Sequence, residues 1–238
     1  MRSLSILIHG EPGVGKSWLG ASSPAPRLIL DAEGGSRFTP GLKMLWDPSL
    51  YAPPAFPENG EWESCRVIVR EWRTVELVYQ WLNMGNHPFR SVVIDSITEI
   101  QRRVIDHASG IEQPALNEWG YVLRVMEDHV RKIRDLVEHP IKPIECVCLI
   151  TLTHLRDGIF RPFVRGQLEL TLPGYVDTVG YMKLEIGPDG NFFRRLQIAP
   201  LGGIDAKDRT NVLLPAYGAF IDNPNLSVMV DLIDQATG

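Results

Sequence analysis

Eight residues near the start of the chain carry the clearest chemistry: Gly10, Glu11, Pro12, Gly13, Val14, Gly15, Lys16 and Ser17, followed by Trp18. The spacing is G-x-x-x-x-G-K-S, behind an apolar run at residues 4–8 and ahead of a helical pattern. Glycines at these points let successive backbone N–H groups turn inward on a phosphate. The start of a helix adds partial positive charge. Lys16 is spaced to reach β- and γ-phosphates, and Ser17 to ligate Mg²⁺. A phosphate-bearing ligand with Mg²⁺ is what residues 10–18 are expected to hold.

Three further polar groups stand at the ends of apolar runs. Asp95 closes Ser91-Val92-Val93-Ile94 and is placed to hold Mg²⁺ through a water. Asp31-Ala32-Glu33 follows the run 27–30, where a carboxylate can orient or deprotonate an attacking water. A plain loop acid before Gly34-Gly35 is the alternative. His154 follows the run 144–153, where a polar group can touch a γ-phosphate and report it to the next loop. A histidine that merely caps the strand is the alternative.

These residues need a scaffold. Apolar runs at 4–8, 27–31, 66–69, 91–95 and 144–153 read as strands. Residues 16–22, 72–84, 96–108, 118–139 and 226–236 read as helices, with Ser96 as an N-cap and Pro140 as a stop. Residues 181–186 and 192–198 alternate around Pro188-Asp189-Gly190-Asn191 and read as an antiparallel hairpin. Residues 110–117, 155–170 and 202–211 read as loops. Strands alternating with helices, then a hairpin, predict one α/β domain over 1–238. Its central sheet is mostly parallel, flanked by helices, with an antiparallel hairpin at one edge. Ligands of such sheets bind beyond the carboxyl ends of the strands, where the loop, Asp31, Asp95 and Thr153 fall. Residues 38–64 hold five prolines and five aromatics and read as an irregular insertion that packs or makes contacts.

Bulk properties narrow the classes. The 238 residues are 44% hydrophobic and 22% charged, as in an ordinary globular chain. Net charge is −5, which excludes a globally basic nucleic-acid binder but not a local basic patch. No apolar run has membrane-spanning length, and no signal peptide is read. Cys65, Cys146 and Cys148 are too few for a disulfide framework, and Cys146 and Cys148 face one side of a buried strand. A reducing compartment is expected.

The stretch Arg156-Asp157-Gly158-Ile159-Phe160-Arg161-Pro162-Phe163-Val164-Arg165 sets three arginines against one aspartate, with phenylalanines interleaved. Arginine pairs phosphates and phenylalanine stacks on unpaired bases, so Arg156, Phe160, Arg161, Phe163 and Arg165 are the candidate contacts to single-stranded DNA.

Taken in order, the motifs resemble phage-encoded RecA/RadA-like P-loop ATPases, a group that includes the Sak-type single-strand annealing proteins. The resemblance lies in residues 10–17 and Asp31-Ala32-Glu33-Gly34-Gly35. It continues through Leu152-Thr153-His154-Leu155-Arg156, Arg161-Pro162 with Gly166, Leu172-Pro173-Gly174 with Asp177, and Lys207-Asp208-Arg209. It implies a RecA-like core in which Glu33 is the catalytic base and His154, a glutamine in the recombinases, senses the γ-phosphate. It further implies that Lys207 and Arg209 reach the nucleotide of a neighbouring subunit. The matching loop of the family enters single-stranded DNA. The implied activity is DNA-stimulated ATP hydrolysis in phage recombination, by annealing or strand pairing. The implied partners are single-stranded DNA, further copies of this chain in a ring or filament, and a single-strand DNA-binding protein. The implied setting is the cytoplasm of a bacterial host. Recombinases of this kind carry a polymerisation segment before the core; here the first strand begins almost at residue 1, so subunit contacts are expected elsewhere, residues 38–64 included. Two other readings fit the same loop: a P-loop kinase of a small metabolite, and a non-catalytic ATP-gated assembly or loader switch.

Overall fold

In the computed structural model, residues 3–110 and 112–237 are described; Met1, Arg2, Ile111 and Gly238, inside the single domain read from the sequence, lie outside them. The chain runs β1 Leu4–Gly10, α1 Lys16–Gly20, β2 Arg27–Asp31, β3 Lys43–Leu45, β4 Ser64–Ile68, α2 Trp72–Asn83 and β5 Ser91–Asp95. It continues α3 Ile97–Ser109, α4 Leu116–Asp135, β6 Cys146–Arg156, β7 Ile159–Phe163, α5 Leu168–Tyr175 and β8 Thr178–Ile186. It ends β9 Phe192–Gln197, β10 Lys207–Asp208, α6 Leu213–Tyr217, β11 Phe220–Asp222 and α7 Leu226–Thr237.

All the strands join one sheet, in the order β11-β9-β8-β1-β6-β5-β2-β4-β3. From β8 to β3 every neighbour is parallel. β9 and β11 add an antiparallel edge, and the predicted 181–198 hairpin is β8–β9. The mixed α/β fold, mostly parallel with an antiparallel edge, is that of a P-loop NTPase core.

Side-chain alternation divides the core between the two faces of the sheet. Val147, Leu149, Val92 and Ile94 pack with α2, α3, α4 and α5. Ile6, Ile8, Cys146, Cys148 and Ile150 pack with α1, α6 and α7. Cys146 and Cys148 share a face, as their spacing requires, and all three cysteines are buried thiols. Strands buried on both faces read as continuous apolar runs, which is why β1, β5 and β6 were legible.

Three segments depart from expectation. Residues 155–170 are not a loop: β6 runs on to Arg156, turns at Asp157-Gly158, and returns as β7, with Thr153 opposite Pro162 and His154 opposite Arg161. Both turn residues have positive φ, 53° and 74°, the two-residue hairpin turn that Asp-Gly favours. The segment closes with the first residues of α5. Residues 202–211 hold β10, whose Lys207 and Asp208 pair with Val179 and Thr178. Residues 38–64 are not wholly irregular: β3 extends the parallel sheet beside β4. Trp46 and Trp62 are buried there against Phe89. Phe38, Tyr51 and Phe56 of the same stretch stay exposed.

Candidate active site

The sheet order determines what meets what. β6 lies between β1, which feeds the glycine loop, and β5, which ends in Asp95; β2, leading to Glu33, comes next. Neighbouring strands stand about 4.8 Å apart, so the loop and Asp95 are separated by roughly 10 Å. That gap accommodates a phosphate and its counter-ion. Register levels the ends: Gly10 pairs with Leu152, and Asp95 with both Ile150 and Asp31. The result is a cavity of about 260 Å³ lined by the glycine loop, Lys16, Ser17, Trp18, Glu33, Gly35, Phe38, Asp95, Ser96 and Ile150–Leu152. A larger cavity, about 1150 Å³, lies between α2 and residues 45–51, but neither the loop nor the strand-end acids reach it.

The loop has its expected backbone. Gly15 has φ +100°, and a Cβ there would come within 2.2 Å of Arg194 Nε; at Gly10 a Cβ would come within 2.3 Å of the Met182 carbonyl oxygen on β8. Glycine is needed at both places, at Gly10 for close strand packing alone. The Lys16 ammonium is buried and donates to the carbonyls of Gly10 and Glu11, each at 2.8 Å. Burial pulls it below the usual lysine range, while Glu33, Asp95 and Glu11 oppose that shift.

Asp95 is 3% exposed, and its Oδ2 has no hydrogen-bond partner. Burial, with repulsion from Glu33 and Asp31, pushes its carboxyl up to about 6 against the pull of Ser17 and Lys16. A buried, unpartnered carboxylate oxygen is chemically suited to a cation. A Cβ on Gly35 would lie 3.3 Å from Ser17 Oγ and 3.8 Å from Asp95 Oδ2, so the residue opposite the pair has no side chain to fill the space. Ser17 and Asp95 therefore fit Mg²⁺. Among the described residues no group of three His, Cys, Asp or Glu side chains could hold a metal by itself. Mg²⁺ would rely on phosphate oxygens for its remaining ligands.

The two acids after β2 have different surroundings. Asp31 is buried and fully engaged: it accepts from Gly34 N at 2.6 Å and from Ser36 Oγ, and pairs with Arg66 Nε at 2.7 Å. It shapes the turn that carries Glu33. Glu33 is exposed, lines the cavity, and accepts a hydrogen bond from Ser96 Oγ. Ser96 Oγ also accepts from Glu99 N at 3.2 Å as the cap of α3. One hydroxyl thus closes a helix and orients an acid. The serine was legible as a cap, but its bond to Glu33 spans 63 positions and left no local signal. Asp31→Asn should lower stability by about 3 kcal/mol, because Arg66 loses its buried partner. Turnover should fall as well, since the Glu33 turn loosens; chemical denaturation and a phosphate-release assay read the two effects.

His154 does not line the cavity. Its Nε2 lies 3.2 Å from Glu169 Oε1, and its ring is 5.2 Å from Phe163. Glu169 on α5 is 3% exposed and also gathers Arg156 at 3.1 Å and Arg161 at 3.7 Å. Of the three arginines proposed to contact DNA, Arg165 stands outside this cluster, exposed, with its backbone held at both ends by Gln101. Phe160 packs on Tyr181 with centroids 5.6 Å apart. Lys207 and Arg209 also lie away from the cavity. Lys207 is level with Val179, which in turn is level with Leu7, three residues back from the loop. Burial, reinforced by Arg209, draws its ammonium below the usual range. Arg209 is exposed and pairs with Asp177 at 3.3 Å.

A second network underlies the loop. His9, buried one residue before Gly10, contacts Thr153 Oγ1 at 3.1 Å and the Asp205 carbonyl at 2.8 Å. Thr153 Oγ1 donates to the Arg161 carbonyl at 3.0 Å. Polar contacts among His9, Thr153 and the Asp205 and Arg161 carbonyls therefore join β1, the β6–β7 hairpin and the approach to β10.

Comparison with known proteins agrees with this geometry. A solved structure described as a prototypical ATPase from the type III secretion system of pathogenic bacteria aligns over 88% of this chain, with TM-score 0.50 and 13% identity. The chain spans 59% of that protein's length, and the likeness is one of fold. No curated protein matches the chain. The sequence profile described as AAA domain matches residues 2–210, from just before β1 to Thr210. With that match over most of its length and the phosphate loop, Asp95 and Glu33 converging on one cavity, the chain belongs to the AAA domain family of P-loop ATPases.

Proposed function

We propose that this ATPase acts on single-stranded DNA in phage or prophage recombination, by annealing or strand pairing, as a ring or filament of its own copies. The observation that carries the catalytic part is the convergence of Lys16, Ser17, Asp95 and Glu33 on one cavity. Lys16 and the loop N–H groups bind the β- and γ-phosphates. Ser17, and Asp95 through a water, would hold Mg²⁺, which would supply charge neutralisation at the phosphates. Glu33, steadied by Ser96, accepts the proton of the attacking water.

Lys207 and Arg209 are assigned to a neighbour's nucleotide. Arg209 is exposed and distant from its own cavity, and a guanidinium suits spread phosphoryl charge. The β6–β7 hairpin and the residues just after it are assigned to DNA, with Arg165, outside the Glu169 cluster, as the exposed cation; Arg156 and Arg161 must exchange Glu169 for phosphates to take part. His154 sits in that same cluster, so its assigned sensing of the γ-phosphate would pass to the hairpin through Glu169. The resemblance to the phage group supports the recombination setting, a bacterial cytoplasm, and a single-strand DNA-binding protein as a further partner. Among the described residues no helix is long and apolar enough to cross a membrane.

The deciding experiment is ATP hydrolysis with and without single-stranded DNA, on samples sized by light scattering. Stimulation by DNA together with ATP-dependent assembly is the expected result. ADP formed only in the presence of a small acceptor, without release of free phosphate, would identify a kinase, and ATP-dependent oligomers without turnover a loader switch. Either result would end the proposal. Mixing Arg209→Ala with Lys16→Ala should restore part of the turnover each lacks alone, because one subunit type supplies a whole loop and the other a whole arginine. No restoration would remove Arg209 from the site.

A further inference from the structure

Beside the phosphate cavity lies a second one, about 220 Å³, that shares Trp18 with it. Its walls include Pro40, Met182 and Pro224, with Ser22, whose hydroxyl is bonded to Leu19 and Leu226, and two further polar residues, Arg194 on β9 and Asn223 after β11. The acids mark one end of the phosphate site: Asp95 and Glu33 are where the terminal phosphate and its water belong. Trp18, the residue after Ser17, borders both cavities and marks the other end. A nucleotide with its γ-phosphate at the acids must carry its nucleoside past Trp18, toward the second cavity.

Arg194 has the features of a ligand-facing group. Its guanidinium stands 5.1 Å over the Trp18 ring. Its stem crosses the loop at Gly15, close enough that a Cβ there would come within 2.2 Å of Nε. Nε is buried and has no hydrogen-bond partner. A buried donor left unpaired is costly, and a structure that keeps one commonly satisfies it with a ligand. The backbone beneath is fixed: Arg194 N donates to Asn223 Oδ1 at 3.2 Å, and Asn223 N donates to the Arg194 carbonyl at 2.6 Å. Asn223 takes a positive φ of 46° to do this. The side chain is thus anchored at its root and uncommitted at its tip.

We propose that this second cavity is the nucleoside subsite. In it Arg194 contacts the base and ribose from the nucleotide's own subunit, and Trp18 supplies a flat apolar wall. A planar heterocycle with ring-nitrogen acceptors suits a guanidinium that can both stack and donate. The assignment rests on the loop being a nucleotide site, and the test separates the two claims.

Calorimetric titration of the full chain with Mg-ADP and with Mg-pyrophosphate compares ligands that share phosphates and differ in the nucleoside. Wild type should bind ADP at least about tenfold more tightly than pyrophosphate. Arg194→Ala should weaken ADP by about tenfold and leave pyrophosphate within about twofold. Trp18→Ala removes a side chain that is 46% exposed, so it leaves the core intact, and it should show the same selectivity. Equal loss of both ligands in Arg194→Ala would place the arginine on the phosphates and overturn the subsite, as would unchanged ADP affinity in both variants. If wild type binds neither ligand, the phosphate-loop reading falls and the subsite with it. If wild type binds both equally, the subsite falls alone.

Discussion

Glu33→Gln should bind Mg-ATP as wild type does and lose turnover by about 10²- to 10⁴-fold, the range for removing a positioned general base. The substitution preserves shape and can still accept from Ser96 Oγ, so the cavity and the cap of α3 persist. What it removes is the capacity to take a proton from water. The competing acid, Asp31, is two residues away but buried and bound to Gly34, Ser36 and Arg66, so it cannot substitute. The measurement is single-turnover hydrolysis beside equilibrium nucleotide binding. A fall in kcat with unchanged affinity is the signature of a group used only in the transition state. Retained turnover would remove Glu33 from the chemistry. Ser96→Ala separates orientation from proton transfer. It should cost about 1 kcal/mol of stability through the lost cap and a smaller part of the rate. The carboxylate remains but is no longer held.

Legibility in the sequence followed the range of the interaction. The loop, the Asp95 strand and the Ser96 cap are local patterns, and each lies where its residues indicate. The parallel core was readable because strands buried on both faces carry continuous apolar runs. The hairpin at 156–163 also had its signal, Asp157-Gly158, but arginine and proline around it suggested a polar loop. What no window of sequence contains is the partner of a side chain. Glu169 collects His154, Arg156 and Arg161 from 13 to 15 positions before it or eight, and changes what those cations are free to do. Arg194 comes to Gly15 from the far side of the sheet edge, because β8 and β9 lie beside β1. It was invisible as one of several arginines on an alternating strand.

Asp95→Asn should raise the stability of the nucleotide-free protein at pH 8 while removing most ATP turnover. The carboxyl is buried, and its pKa in the fold is about 6 against 3.8 for the ordinary side chain. The folded state therefore binds this proton more tightly than the unfolded state does. Below pH 4 both states are protonated and the group contributes nothing. As pH rises through 6 the folded state must ionise a carboxylate that burial disfavours, and stability falls, by up to about 3 kcal/mol. Asparagine is neutral at every pH and escapes that cost. The wild-type profile alone cannot show this, because three buried histidines act oppositely. His9, His87 and His129 are each held down to about 4 by burial, so the unfolded chain binds more protons than the fold between about 4 and 6.5, and stability drops as pH falls. The useful quantity is the difference between Asp95→Asn and wild type, in which the histidines cancel. It should be largest at pH 8 and vanish by about pH 4. Urea melts at a series of pH values supply it. Mg-ADP should reverse its sign at pH 8, because the cation that relieves the wild-type carboxylate has no charge to bind in the variant. If the variant is no more stable than wild type at pH 8, Asp95 is not under the strain its burial implies, and the cost of holding an unpaired acid for the metal is met somewhere other than in folding.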